Sequence, residues 1–338
     1  MAVYTTINDP EAYFQVHLYT GNGSANHAQT FADTDTDMQP DFVWIKNRDS
    51  TDSHCLFDAV RGATEVLHAD GTAGEATDAD TLDSFTSDGF QVDADVKVNT
   101  NTEKYVAWCW KESATAGFDI VSFTGNDTAR TISHSLSAVP AVFVIKNREQ
   151  DANWQVYHEK LDAAPEDNGL FWDSTSAVVS RDSSYFNSTA PTSSVFSVGT
   201  NSRVNDNTEG IITYLWSPVQ GYSKFGSYIG NANADGPFIY TGFRPAFVMI
   251  KRTDATDSWW IADNKRTPSN VADGPTILGA NLTTAELSPS AYHSWFMSNG
   301  FKILTANTSF NASGGTYIYM AFAEQPFVNS NGVPNNAR

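Results

Sequence analysis

The chain has 338 residues, with 39 acidic side chains against 20 lysines and arginines, a formal charge of -19. A surface this acidic repels phosphate backbones and anionic headgroups, which argues against nucleic acid and membrane as partners. Hydrophobic residues make up 41% and aromatics 13%, enough for packed cores rather than a disordered chain.

From the N-terminus, Met1 to Pro10 is polar and lacks a basic then apolar leader, so synthesis in the cytoplasm without the common secretion signal is expected. The first block that returns is Tyr19-Thr20-Gly21-Asn22, matched by Phe123-Thr124-Gly125-Asn126 and Tyr228-Ile229-Gly230-Asn231. Next comes Pro40-Asp41-Phe42-Val43-Trp44-Ile45-Lys46, matched by Pro140-Ala141-Val142-Phe143-Val144-Ile145-Lys146 and Pro245-Ala246-Phe247-Val248-Met249-Ile250-Lys251. His54, Trp154 and Trp259 share one phase, and Phe90, Phe196 and Phe301 share another. Tyr105 to Trp110 pairs with Ile211 to Trp216 and with Tyr317 to Phe322. Ordered blocks at a common offset define internal copies. The expected organisation is an N-terminal segment 1–11, copies at 12–111, 117–217 and 224–324, and a tail 325–338.

The blocks are short, rich in Val, Ile, Phe, Tyr and Trp, and bounded by Gly, Asn and Ser turn signals. Proline stands ahead of the 42, 142 and 247 segments, where a missing N–H costs least. The spacing predicts an all-β chain: three tandem, related antiparallel β-sandwich or jelly-roll-like repeats of about 105 residues. Phe42-Val43-Trp44-Ile45 is apolar throughout, as a strand covered on both faces requires. The best helical candidates are 59–68 and 283–287. The longest apolar run, Ala138 to Ile145, is strand-sized and far short of a membrane span.

The sequence carries no phosphate-binding glycine loop, dinucleotide fingerprint or nucleophile elbow. Histidines at 17, 27, 54, 68, 134, 158 and 293 have no mutual metal-ligand spacing. Asp33, Asp35 and Asp37 alternate as calcium-binding carboxylates do, although Met38 and Trp44 stand where an EF-hand needs Gly and Glu. A solvated loop is the plainer reading, with calcium the one cofactor considered. Lys46, Lys146 and Lys251 recur alongside Asp58 and Asp263, with His158 at the second copy's place; this suggests a lysine–aspartate pair bridging strands. Trp172, Trp259, Trp260 and Trp295 are the candidates for stacking on sugar rings. Cys55 and Cys109 align with residues of unlike chemistry, as space-filling free thiols would.

Leu18 to Ser24, Gln39 to Arg48, Leu56 to Thr64, Tyr105 to Lys111 and Gly242 to Arg252 together resemble a repeat family of virion proteins from tailed, mostly marine bacteriophages. These relatives are often labelled tail fibre or tail protein. Glu324 to Phe327 and Asn335 to Arg338 are similar to the family's usual ending. The resemblance spans nearly the whole chain. It implies a non-catalytic structural protein of the virion, foremost a tail fibre or tail appendage that contacts the host. A capsid decoration protein is the alternative, then a carbohydrate-binding adhesin, with a polysaccharide depolymerase a distant third. The implied partners are other virion proteins, further copies of the chain on a symmetric site, and a host surface glycan. Many relatives carry a longer insertion between the first two copies. The short 111–117 joint here favours a compact block over an extended fibre.

Overall fold

The structure is a computed structural model that describes residues 4–31, 36–268, 270, 274–287 and 294–334. It is all-β, with antiparallel pairing throughout, and its α-helices are four residues long.

Three large sheets follow one strand order. In the first unit the neighbours are Phe14–Thr20, Lys104–Trp110, Phe42–Asn47, Cys55–Asp58, Gly62–His68 and Ala76–Thr77. In the second they are Phe118–Thr124, Gly210–Trp216, Val142–Asn147, Gln155–His158, Asn168–Phe171 and Val179–Ser180. In the third they are Ser223–Ile229, Thr316–Pro326, Phe243–Arg252, Trp259–Asp263 and Leu278–Gly279. The register also corresponds: the unit's first strand lies on its last, with Phe14 opposite Trp110, Phe118 opposite Trp216 and Ser223 opposite Phe322.

Each large sheet carries a small one on its outer face. These are His27–Thr30 with Gly89–Val92 and Leu82–Thr86, then Arg130–Ser133 with Val195–Val198, then Phe238–Tyr240 with Gly300–Ile303 and Ser294–Met297. The period of two along a strand divides the core. Val43 and Ile45 enter the first unit's own sandwich, whereas Phe42 and Trp44 enter a cluster built from all three units. The second and third units divide likewise: Phe143 and Ile145, then Val248 and Ile250, face private cores, while Val142, Val144, Phe247 and Met249 join the shared one. That is why the runs are apolar at every position. A void of ≈ 10 Å³ lies in the shared core among Phe42, Trp44, Trp110, Trp172, Trp216 and Phe247, room for about one water.

Buried asparagines fasten each unit's corner. Asn99 donates Nδ2–H to the Ser24 and Asp93 carbonyls, each at 2.8 Å, and accepts the Asn22 N–H at 2.8 Å. Asn205 and Asn311 repeat this with Thr128 and Gly199, and with Asn233 and Thr305. The glycine of each Gly-Asn pair allows the approach. A Cβ on Gly21, Gly125 or Gly230 would lie 2.1, 1.9 or 2.2 Å from a carbonyl oxygen of the facing loop.

Two local expectations are corrected. Neither 59–68 nor 283–287 is helical; Gly62–His68 is a strand entered through Gly62 at φ 115°, and 283–287 is irregular. The α-helices that do form, Val96–Asn99, Ser183–Phe186, Ser202–Asn205 and Thr308–Asn311, are single turns capped by Asp95, Asp182, Asn201 and Asn307. Pro245 lies inside its strand rather than ahead of it, at register shifts where no ladder N–H is needed.

Candidate functional site

The recurring polar residues sit where the units meet. Lys46 Nζ donates to the Ser50 carbonyl at 3.1 Å and, in the third unit, to that of Thr283 at 3.0 Å. Lys146 Nζ donates to Gln150 and Ala152 and, in the first unit, to Thr72 at 2.7 Å. Lys251 Nζ donates to Asp257 at 2.7 Å and, in the second unit, to Thr175 at 3.1 Å. The first unit thus reaches the third, the second the first, and the third the second, a closed cycle. The expected lysine–aspartate pair does not form, since these ammonium groups bind carbonyl oxygens.

The second repeated position follows the same cycle. Trp154 Nε1–H donates to the His68 carbonyl at 3.0 Å and Trp259 Nε1–H to that of Phe171 at 2.9 Å. His54 takes the equivalent place against the Gly279 carbonyl, with Nε2 at 3.0 Å. Its Nδ1 accepts the Trp44 indole N–H at 2.8 Å, so Nε2 carries the proton and the ring is neutral. Burial, with Lys46 nearby, holds its pKa well below the usual range.

The aspartates point the other way round the ring. Asp58 accepts the Tyr214 hydroxyl at 2.7 Å and pairs with Arg61 Nε at 2.5 Å. Asp263 accepts the Trp108 indole N–H at 3.1 Å and pairs with Arg266 Nε at 2.5 Å. In the second unit, His158 Nε2 donates to the Tyr319 carbonyl at 3.3 Å, and burial lowers its pKa to about 4. Ion pairs clasp two seams: Arg148 to Glu75 and Arg48 to Glu286, each 2.5 Å. At the third seam Val178 occupies the corresponding place, its N–H on the Thr253 carbonyl as those of Glu75 and Glu286 are on Arg148 and Arg48.

Burial lowers Lys46, Lys146 and Lys251 to about 8, a range that suits catalysis. Each ammonium instead donates to backbone carbonyl oxygens across a seam. Glu112 is pushed up to about 7 by burial and by Asp119 beside it. This is a carboxylate pair in mutual contact, not one facing across a cleft. A family model described as Domain of unknown function (DUF7483) matches residues 9–326.

The chain belongs to the DUF7483 family. No curated protein matches it. Within this DUF7483 chain the sugar-stacking candidates separate. Trp172, Trp259 and Trp260 are 1, 2 and 8% exposed, so their rings are core and offer no platform; that reading is corrected. Trp172 packs edge-on against Trp44 at 5.1 Å, and Trp260 donates Nε1–H to Asp257 at 3.0 Å. Only Trp295, half-buried in the Ser294–Met297 strand, reaches the surface. Of the calcium candidates, Asp33 and Asp35 lie outside the described residues and Asp37 is exposed. Among the described residues, no three His, Cys, Asp or Glu side chains group as metal ligands, and no helix is long and apolar enough to cross a membrane. Cys55 and Cys109 are free and buried in the first sandwich, their thiol pKa values raised by burial.

The sequence reading missed Asn99, Asn205 and Asn311, buried at 0% each. Their signal was present: one asparagine at an offset of 106, within Val98-Asn99, Val204-Asn205 and Phe310-Asn311.

Proposed function

We propose that this chain is a non-catalytic structural component of a tailed-phage virion, foremost a tail appendage that contacts the host. The single observation behind this is the use of its polar residues. Lysines, histidines, aspartates and arginines that could do chemistry are committed to joining three units around one core. Such an arrangement favours rigidity over turnover, as a particle component needs. The phage family resemblance of the repeated motifs supports the same reading. Other virion proteins are then its partners, and calcium has no assigned role.

A second reading, capsid decoration, is favoured by the cyclic order of the seams. One chain here supplies the threefold-like ring that three separate subunits would otherwise build, which suits a position on a threefold axis. Electron microscopy of purified particles carrying a labelled chain tests both. Label on the tail supports the first reading and label on the head the second. Mass spectrometry that finds the chain absent from particles removes both.

A further inference from the structure

We infer that the outer face of the third unit's small sheet is a binding site for an uncharged saccharide. Pairing aligns Phe238, Lys302 and Trp295 in one row and Tyr240, Gly300 and Met297 in the next. Alternation turns Ile239, Phe301 and Phe296 toward the unit's core and the two rows outward. Phe238 is 45% exposed and Tyr240 47%. The strand pairing requires Gly300, as it does Gly89 in the first unit, since a Cβ there would lie 2.1 Å from the Ile239 carbonyl oxygen; the glycine also leaves the floor between Tyr240 and Met297 low.

The sandwich itself does not require these rings. At the same register positions the first unit has Ala28, Thr30, Gln91 and Ser84, and the second has Thr131, Ser133, Ser197 and Val195. Two of the three copies therefore close the same core beneath an outer face without aromatic rings. Exposing aromatics at the third has a cost in water that folding does not recover.

The surroundings select the ligand. Lys302 Nζ is neutralised by Asp235 at 2.6 Å. Lys224 Nζ sits 5.2 Å from the Tyr240 ring centroid and donates to the Tyr240 carbonyl. The Tyr4 and Tyr240 hydroxyls lie 3.1 Å apart at the rim. Rings flanked by paired charges and hydroxyls match pyranose rings, whose C–H faces stack while their hydroxyls hydrogen-bond. A polyanion would meet a chain of charge -19, and a second copy would bring the same charge again. The face is also small: about 10 Å across its strands and about 7 Å along a two-residue step. A stable protein interface needs roughly 800 Å² per partner. This site stands whether or not the chain belongs to a particle.

The test is an array of uncharged glucose, galactose, mannose and N-acetylglucosamine oligosaccharides probed with the full chain, with hits titrated by tryptophan fluorescence. The comparison variant is Phe238→Thr with Tyr240→Ser, which installs the second unit's own residues and so leaves the sandwich a sequence it already tolerates. Wild type should bind, the variant about tenfold or more weakly, and Thr131→Ala with Ser133→Ala should bind as wild type does. Silence across the array, or binding that survives the double substitution, overturns the proposal. So does sedimentation that finds a wild-type dimer split by Phe238→Thr with Tyr240→Ser, which would assign the face to self-association.

Discussion

The Tyr214 hydroxyl donates to the Asp58 carboxylate at 2.7 Å, joining the second unit to the first across 156 positions of sequence. Asp58 also holds Arg61, so the three groups form one buried cluster at the seam. Tyr214→Phe keeps the ring in the shared core and removes this one bond. It should cost about 2 kcal/mol in urea unfolding. A midpoint equal to wild type would mean the contact carries no stability.

Lys146 has three carbonyl partners and Lys251 two, each lysine spanning a seam. Replacing either by Met leaves buried acceptors without a donor. Lys146→Met should cost about 2–4 kcal/mol and Lys251→Met somewhat less. The order of the two variants, measured by chemical denaturation at pH 7, checks that carbonyl binding is what the lysines supply.

The same lysines set a pH dependence. Burial brings all three from 10.5 to about 8. Between about pH 8 and 10 these lysines hold more protons in the unfolded chain than in the folded one, so their own contribution to stability rises with pH. The raised pKa values of buried Cys55 and Cys109, from about pH 9, and of buried Tyr19, Tyr214 and Tyr228, toward pH 10, act in the opposite sense. The lysine contribution is therefore read by difference: the pH dependence of wild type minus that of Lys146→Met should climb between about pH 8 and 10, and a difference that stays flat would remove the assignment.

On the acid side, His158 falls from 6.5 to about 4 because its ring is buried. Its contribution is whole above pH 6.5 and is lost as pH drops toward 4, where the unfolded chain takes the proton first. Glu112, raised to about 7, works against this between pH 4.5 and 7. The difference between wild type and His158→Gln isolates the histidine. The variant should lose less stability between pH 6.5 and 4.5, and identical losses would remove the assignment.

The shared core makes the units interdependent. A fragment of residues 117–217 would expose Val142, Val144, Trp154, Tyr214 and Trp216, all buried against the other two units' cluster. Expressed alone, it should show no cooperative unfolding transition and should bind a hydrophobic dye. A sharp transition and native-like near-ultraviolet dichroism from the fragment would show that each sandwich is sufficient.

Much of this was legible in the residues. Short aromatic and β-branched runs bounded by Gly and Asn marked strands, and the fully apolar Phe42 to Ile45 marked cover on both faces, because a strand's two faces read out at period two. The helical expectation for 59–68 failed for a local reason: Gly62 turns the chain at positive φ into a sheet. The aromatic residues were harder. Trp259 and Trp260 are adjacent in sequence, yet one enters the shared core and the other the third sandwich.

Sequence by itself determined the strands, the matched blocks, the acidity and the absence of a disulfide framework, since each follows from residue type and local spacing. Only tertiary structure decided what covers each face and which tryptophan meets solvent. Alternation says that a strand has two sides but not what lies against either. The partners of Lys46, Lys146 and Lys251 are backbone oxygens of Thr283, Thr72 and Thr175, and any residue's carbonyl would serve, so no side-chain pattern announces them.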